Sequence, residues 1–313
     1  PVKKVLAEVA ALDLLLQDEL NHPSLFWMNY RLKQQVTYPI VSLVHHLRSS
    51  EDHPALLMPL YRAIERHYLR SVDGFVYNSH TTQNSVQALA QTNKPEFVAY
   101  PSGSHSHAPD SQWLHESTLA KQNDPIFRLI FVGNLSERKG LHTVIAGLAT
   151  VAGVEWRLDV VGSTEVDKAY SAQIRNQLQQ TGTAASVTLH GRVSDERLQQ
   201  LLAQAHLMAM PSYEGFGIVY LEAMAYGLPV IASTAGAAHE IVTPGVNGFL
   251  VEPGGSKALA NFVIQLAQDR IMWGKMSQAA RQRFDRHPTW EQSFAPLALW
   301  LLEMKGKHGT IAS

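Results

Sequence analysis

Between Pro211 and Gly227 the chain reads PSYEGFGIVYLEAMAYG, with two carboxylates, Glu214 and Glu222, eight positions apart. Gly215-Phe216-Gly217 lies between them, and a helix is expected to start just after it. A helix start exposes unpaired N–H groups at the positive end of its dipole and so accepts an anion. Glycine on both sides of Phe216 lets backbone approach a ligand closely. One acid before that anion site and one a turn into the helix suit a ligand carrying both phosphates and hydroxyls, as a sugar nucleotide does. The competing reading is a plain turn with two solvated acids. The coincidence of two acids, two glycines, a preceding strand and a following helix outweighs it.

A second group lies at Gly133–Gly140, GNLSERKG, also between an expected strand and an expected helix. Arg138 and Lys139 there could clamp a diphosphate, Lys as a point charge and Arg as a planar fork. Alone, this segment reads as a basic turn. Neither GxxxxGK[ST] nor GxGxxG after a strand occurs, which counts against a P-loop and a nicotinamide dehydrogenase.

The elements that must hold these groups are short apolar runs alternating with helical patterns, the signature of βα units and parallel sheets. Strands are expected at Asp13–Gln17, Ile40–Val44, Gly74–Tyr77 and Phe97–Tyr100, with helices around Ser24–Gln35, Pro54–Arg70 and Thr81–Ala90. Ser102–Asp124 turns polar and reads as a linker. A second series follows, with strands at Ile126–Val132, Trp156–Val161, Val187–Leu189, Leu207–Met210, Val230–Ala232 and Phe249–Val251. Trp290, Phe294, Leu297, Leu301 and Met304 mark one face of a terminal helix, with Pro296 as a kink or first-turn residue. The expectation is an α/β protein of two doubly wound Rossmann-like domains, with ligand loops at the carboxyl ends of strands. The boundaries would be 1–110, a linker over 111–125, 126–287, and a helix at 288–306 that returns to the first domain.

Composition agrees with two folded domains. The chain has 313 residues, 45% of them hydrophobic and 17% charged; that is ample core material. A net charge of −1 supplies no global basic field for nucleic acid. Absence of cysteine excludes disulfides, thiolate catalysis and cysteine metal sites, and fits a reducing compartment. Glu8 and Asp13 interrupt the apolar start, which argues against a signal peptide. A first residue other than Met points to a segment of a longer protein. Arg62, Arg66 and Arg70 share a helix face, read mainly as solvated and partly paired with Glu65.

The motifs FVGNLSERKGL, VVG, VTLHGRVSDERL and AMPSYEGFGIVYLEAMAYGLPVIASTAGAAHEIVTPGVNGFLVEP resemble the donor domain of glycosyltransferase family 4, of the GT-B fold. The likeness runs from Phe127 to Pro253. A weaker one, in PIVSLVHHL and ERHYLRSVDGFVYNSHTT, covers the second half of that family's acceptor domain. The resemblance implies retaining, metal-independent transfer of a sugar, a hexosyl group above all, from a nucleotide donor (UDP-, GDP- or ADP-linked) to an acceptor hydroxyl. It implies no further cofactor. By matching positions, Glu222 would meet the ribose, Glu214 the donor sugar, and backbone at Gly215, Phe216, Gly217, Ile218 and Val219 the sugar and diphosphate. Lys139 would meet the diphosphate, beside Arg138, Gly133 and Asn134, and the segment with Gly191 and Val193 the base. Asn134 stands where the family commonly has arginine, with Arg138 as the compensating cation. His45, or else His46, would line the cleft, and Ser79 would face it. A metal among His45, His46, Glu51 and His53 fits no ligand spacing.

The family's opening strand and glycine-rich loop are not matched. The first sheet is therefore expected to have an open edge, covered by a second copy of the chain or by residues outside this sequence. The expected setting is cytoplasmic, with peripheral contact at the inner face of a membrane. The alternative is a truncated or degenerate transferase that binds nucleotide without turnover.

Overall fold

The computed structural model describes residues 12–50, 56–103 and 108–309. They fall into two compact units, one of residues up to Pro101 together with those from Pro288, the other Ser102–His287.

In the first unit, β1 (Leu15–Asp18), α1 (His22–Leu32), β2 (Ile40–Val44), α2 (Met58–Ser71), β3 (Gly74–Tyr77), α3 (His80–Ala90) and β4 (Glu96–Val98) alternate along the chain. The four strands make one parallel sheet in the order β1-β2-β3-β4. GFVY of β3 is buried at every position and IVSLV of β2 at all but Leu43. Parallel strands covered on both faces read as such continuous apolar runs. Ile40, Val44, Tyr68, Phe75 and Tyr77 form the core on one side. Val41, Val76 and Met304 form it on the other.

The second unit begins with α4 (Ser111–Gln122), inside the stretch whose polarity suggests a linker. The difference has a local cause. Asp110 caps the helix, accepting from the Trp113 N–H at 2.8 Å, and Arg281 holds the Pro109 carbonyl at 2.7 Å. The helix is amphipathic only weakly, so no apolar stripe announces it. His105 and His107 lie outside the described residues.

There follow β5 (Phe127–Val132), α5 (Leu141–Leu148), β6 (Trp156–Val161), α6 (Lys168–Gln180), β7 (Val187–Gly191), α7 (Asp195–Gln204), β8 (Leu207–Met210), α8 (Ile218–Ala225), β9 (Val230–Ser233), β10 (Gly248–Val251), α9 (Ser256–Gln268) and α10 (Arg270–Asp285). Their sheet is parallel in the order β10-β9-β8-β5-β6-β7. Winding runs outward in both directions from the β5/β8 pair. Loops leaving those two strands therefore diverge and leave a crevice, where open α/β sheets bind ligands.

The terminal helix α11 (Trp290–Gly309) contains Pro296 within its span and packs in the first unit. Met304 is buried, and a Cβ on Gly74 would meet its Cε at 3.0 Å. Trp300 lies against Phe97, 5.9 Å between centroids. Trp290 and Phe294, on the N-terminal half, are exposed, so only the later half of the apolar face is used for packing. Among the described residues no helix is long and apolar enough to cross a membrane.

Candidate active site

Lys139 ends the turn after β5, and Glu214 lies in the loop after β8. The sheet order makes these strands neighbours, so residues 75 positions apart meet: Lys139 Nζ donates to Glu214 Oε1 at 2.5 Å. Ser212 Oγ donates to the same oxygen at 2.7 Å. Glu214 Oε2 takes no hydrogen bond among the described residues. Both side chains are largely buried, with 18% and 15% of their surface exposed; the pair is desolvated enough to hold its geometry. Arg138 Nη1 donates to the Tyr213 carbonyl at 2.8 Å, a second tie between the two loops.

Backbone conformation makes this approach feasible. Gly140 has φ +75°, and a Cβ there would press on the Pro211 carbonyl oxygen at 2.9 Å. Gly217, at φ +103°, turns the chain into α8, and the Tyr220 ring fills the space a Cβ would need. No side chain caps α8, so its first amides have no local acceptor of that kind. Ile218 is exposed there and Val219 half-buried, whereas Phe216 is buried.

Glu222 lies one turn into α8, half-buried, and makes no hydrogen bond or ion pair among the described residues. Burial pushes its carboxyl up, and the negative charge of Asp195 at the start of α7 adds to the rise. Gly191, at the end of β7, accepts from the Gly162 N–H at 2.9 Å, and Val193 is half-buried beyond it. Gly133 lies against the stem of Lys139; a Cβ at this glycine would sit 3.5 Å from the lysine Cδ.

Asn134 is employed differently from a free leaving-group ligand. Its Oδ1 accepts from the Ser163 N–H at 3.0 Å, while Leu135 N–H donates to the Ser163 carbonyl at 2.9 Å. The side chain thus ties the turn after β5 to the turn after β6.

In the first unit His45 follows β2. Its N–H donates to Glu19 Oε2 at 3.1 Å, and its Nε2 lies 3.4 Å from Asp18 Oδ2. Glu19 is buried, and burial lifts its carboxyl to about 7, opposed by the His45 N–H and the field of His46 and helped by the charges of Asp18 and Glu65. Glu65 is itself buried, not a solvated partner of the arginine face. Arg66 and Arg70 instead donate to the Leu89 and Ala90 carbonyls. Ser79 is also buried and caps α3, accepting from the Thr82 N–H at 3.0 Å, which differs from a cleft-facing role. Sequence reasoning missed Ser212, Asp18 and Glu19; the signal for the last two was adjacent acids closing an expected strand. Among the described residues no group of three or more His, Cys, Asp or Glu side chains could hold a metal.

Two parallel-sheet units of this kind make up the GT-B fold. Sucrose-phosphate synthase from Thermosynechococcus elongatus matches with a TM-score of 0.82 at 22% identity, over 98% of this chain and 77% of that one. HepE of Anabaena, solved with UDP and glucose, matches at 0.79 and 24%, over 96% and 80%. Residues 112–283 match the glycosyl transferases group 1 family, over half of the chain, and the chain belongs to that family. A GDP-mannose-dependent monoacylated phosphatidylinositol monomannoside mannosyltransferase of Corynebacterium glutamicum is 35% identical over 167 residues, 50% of this chain and 42% of that protein. A related mannosyltransferase of Mycobacterium tuberculosis is 31% identical over 255 residues, 78% of this chain and 66% of that protein. The chain thus spans less than two thirds of the length of these relatives.

Proposed function

We propose that the chain takes a hexosyl group from a nucleotide-diphosphate sugar and passes it to an acceptor hydroxyl, with retention at the anomeric carbon and without an essential metal. The observation that carries this is the Lys139–Glu214 pair at the β5/β8 switch point, beside a glycine loop that opens onto the start of α8. Lysine has three donors and Glu214 uses one, leaving two for a diphosphate. With Arg138 and the first amides of α8, it would stabilise charge building on the departing phosphate. Glu214, with Oε2 unbonded, faces the sugar. Glu222, unpaired and half-buried, takes the ribose hydroxyls, for which its desolvated carboxyl is a strong acceptor. The acceptor hydroxyl approaches on the face of the departing phosphate, which takes its proton, so no strong general base is required.

Relatives with GDP-mannose in their names and a structural neighbour bound to UDP make guanosine and uridine donors the first to try. The test is calorimetry with UDP and GDP beside hydrolysis and transfer assays, on wild type and Glu222→Ala. Loss of nucleotide binding in the variant is expected. Unchanged binding and turnover would show the site assignment to be wrong, and binding without turnover in wild type would favour a nucleotide-binding module.

A further inference from the structure

We infer that Arg283 and His287 are positioning residues for the Glu214–Gly217 loop, closing a ring that ties this loop to the point where the chain leaves the second unit. The inference rests on the reading of that loop as the segment facing sugar and diphosphate. Phe216, at its apex, is 3% exposed and packs on His287, also 3% exposed, with 5.6 Å between ring centroids. Arg283 Nη1 donates to His287 Nδ1 at 3.2 Å, and Nη2 donates to the Glu240 carbonyl at 3.0 Å. That contact fixes the tautomer, because an accepting Nδ1 leaves the proton on Nε2.

The ring closes through the loop after β9. Glu240 ends a short turn that follows Ala237, and the Ala237 N–H donates to the Glu214 carbonyl at 2.9 Å. Glu214 and Gly236 also form a parallel bridge. The loop is therefore held from two sides, at Glu214 by the turn after β9 and at Phe216 by His287. One guanidinium spans the two supports, reaching the Glu240 carbonyl 43 positions away and His287 four positions away in sequence. A planar fork can hold two acceptors in fixed directions, whereas an ammonium on a flexible stem cannot. His287 is the last residue of its unit, and Pro288 starts the segment that returns to the first. Displacement of that exit reaches Phe216 through the ring contact, so loop and exit move together.

The experiment is hydrogen exchange on the full chain for wild type, Arg283→Gln, Arg283→Lys, His287→Ala and His287→Phe, with kcat, KM and the UDP and GDP dissociation constants alongside. Amides 214–219 are expected to exchange about tenfold faster in Arg283→Gln, Arg283→Lys and His287→Ala, while β5 and β8 amides keep their protection. Turnover should fall about 10- to 100-fold with KM and nucleotide affinity little changed, the signature of misplacement rather than lost contact. His287→Phe, which keeps the ring contact on Phe216 but offers Arg283 no acceptor, should fall between wild type and His287→Ala in loop protection and turnover. Unchanged exchange at 214–219 would overturn the inference, as would an equal rise throughout the second unit. The exchange result stands without catalysis, so absent turnover in wild type would count against the proposed function and leave this inference decided by exchange alone.

Discussion

Replacing Glu19 by Gln should remove a pH dependence from the stability of the first unit. Glu19 is buried beneath the ends of β1 and β2, where desolvation lifts its carboxyl from the usual 4.5 to about 7. The folded unit therefore holds this proton up to about pH 7, while the unfolded chain releases it near 4.5. Between these values the folded state binds more protons, so stability falls as pH rises. The contribution is fully present below 4.5 and gone above about 7. At about 1.4 kcal/mol per pH unit, the gap amounts to about 3 kcal/mol for this buried group. Glutamine mimics the protonated acid and its amide oxygen can still accept the His45 N–H. The assay is hydrogen exchange of the β2 amides, Ile40–Val44, between about pH 4.5 and 8, corrected for intrinsic rates, because two units need not unfold together. Wild type should lose about 3 kcal/mol of protection relative to Glu19→Gln across that window. Parallel profiles for the two proteins would refute the reasoning.

Three further outcomes are expected. Lys139→Ala should lower kcat/KM about 100- to 1000-fold, and Lys139→Arg should fail to restore it, as read from steady-state transfer rates. Gly217→Ala should cost about 1–3 kcal/mol, since φ +103° and the Tyr220 ring both oppose a Cβ; thermal unfolding of the second unit measures it. Asn134→Ala should cost about 1 kcal/mol through the lost bond to Ser163, seen as faster exchange at Ser163, with a smaller effect on turnover than Lys139→Ala.

Much of the fold was legible because parallel strands buried on both faces are written as short apolar runs, and Ile40–Val44, Gly74–Tyr77 and Leu207–Met210 appear in the structure with the expected bounds. Helix α4 was not legible, because its stability comes from the Asp110 cap and from Arg281 on a distant helix rather than from an apolar stripe. Ser79 shows the converse limit. Its place at a strand end suggests a ligand, yet the adjacent helix start claims its hydroxyl.

The local pieces of the candidate site are written in the sequence: the glycines around Phe216, the acid on either side, and the basic turn at Arg138 and Lys139. These are properties of a few adjacent residues, fixed by backbone freedom and helix-end electrostatics. Which of these pieces meet depends on the packed fold. Strand order sets β5 beside β8, and that adjacency alone joins Lys139 to Glu214. Burial, a property of the whole packed unit, raises the proton affinity of Glu19 and Glu222. Arg283 acquires its distant acceptor, the Glu240 carbonyl, in the same way, whereas His287, four positions on, is a neighbour the chain itself supplies.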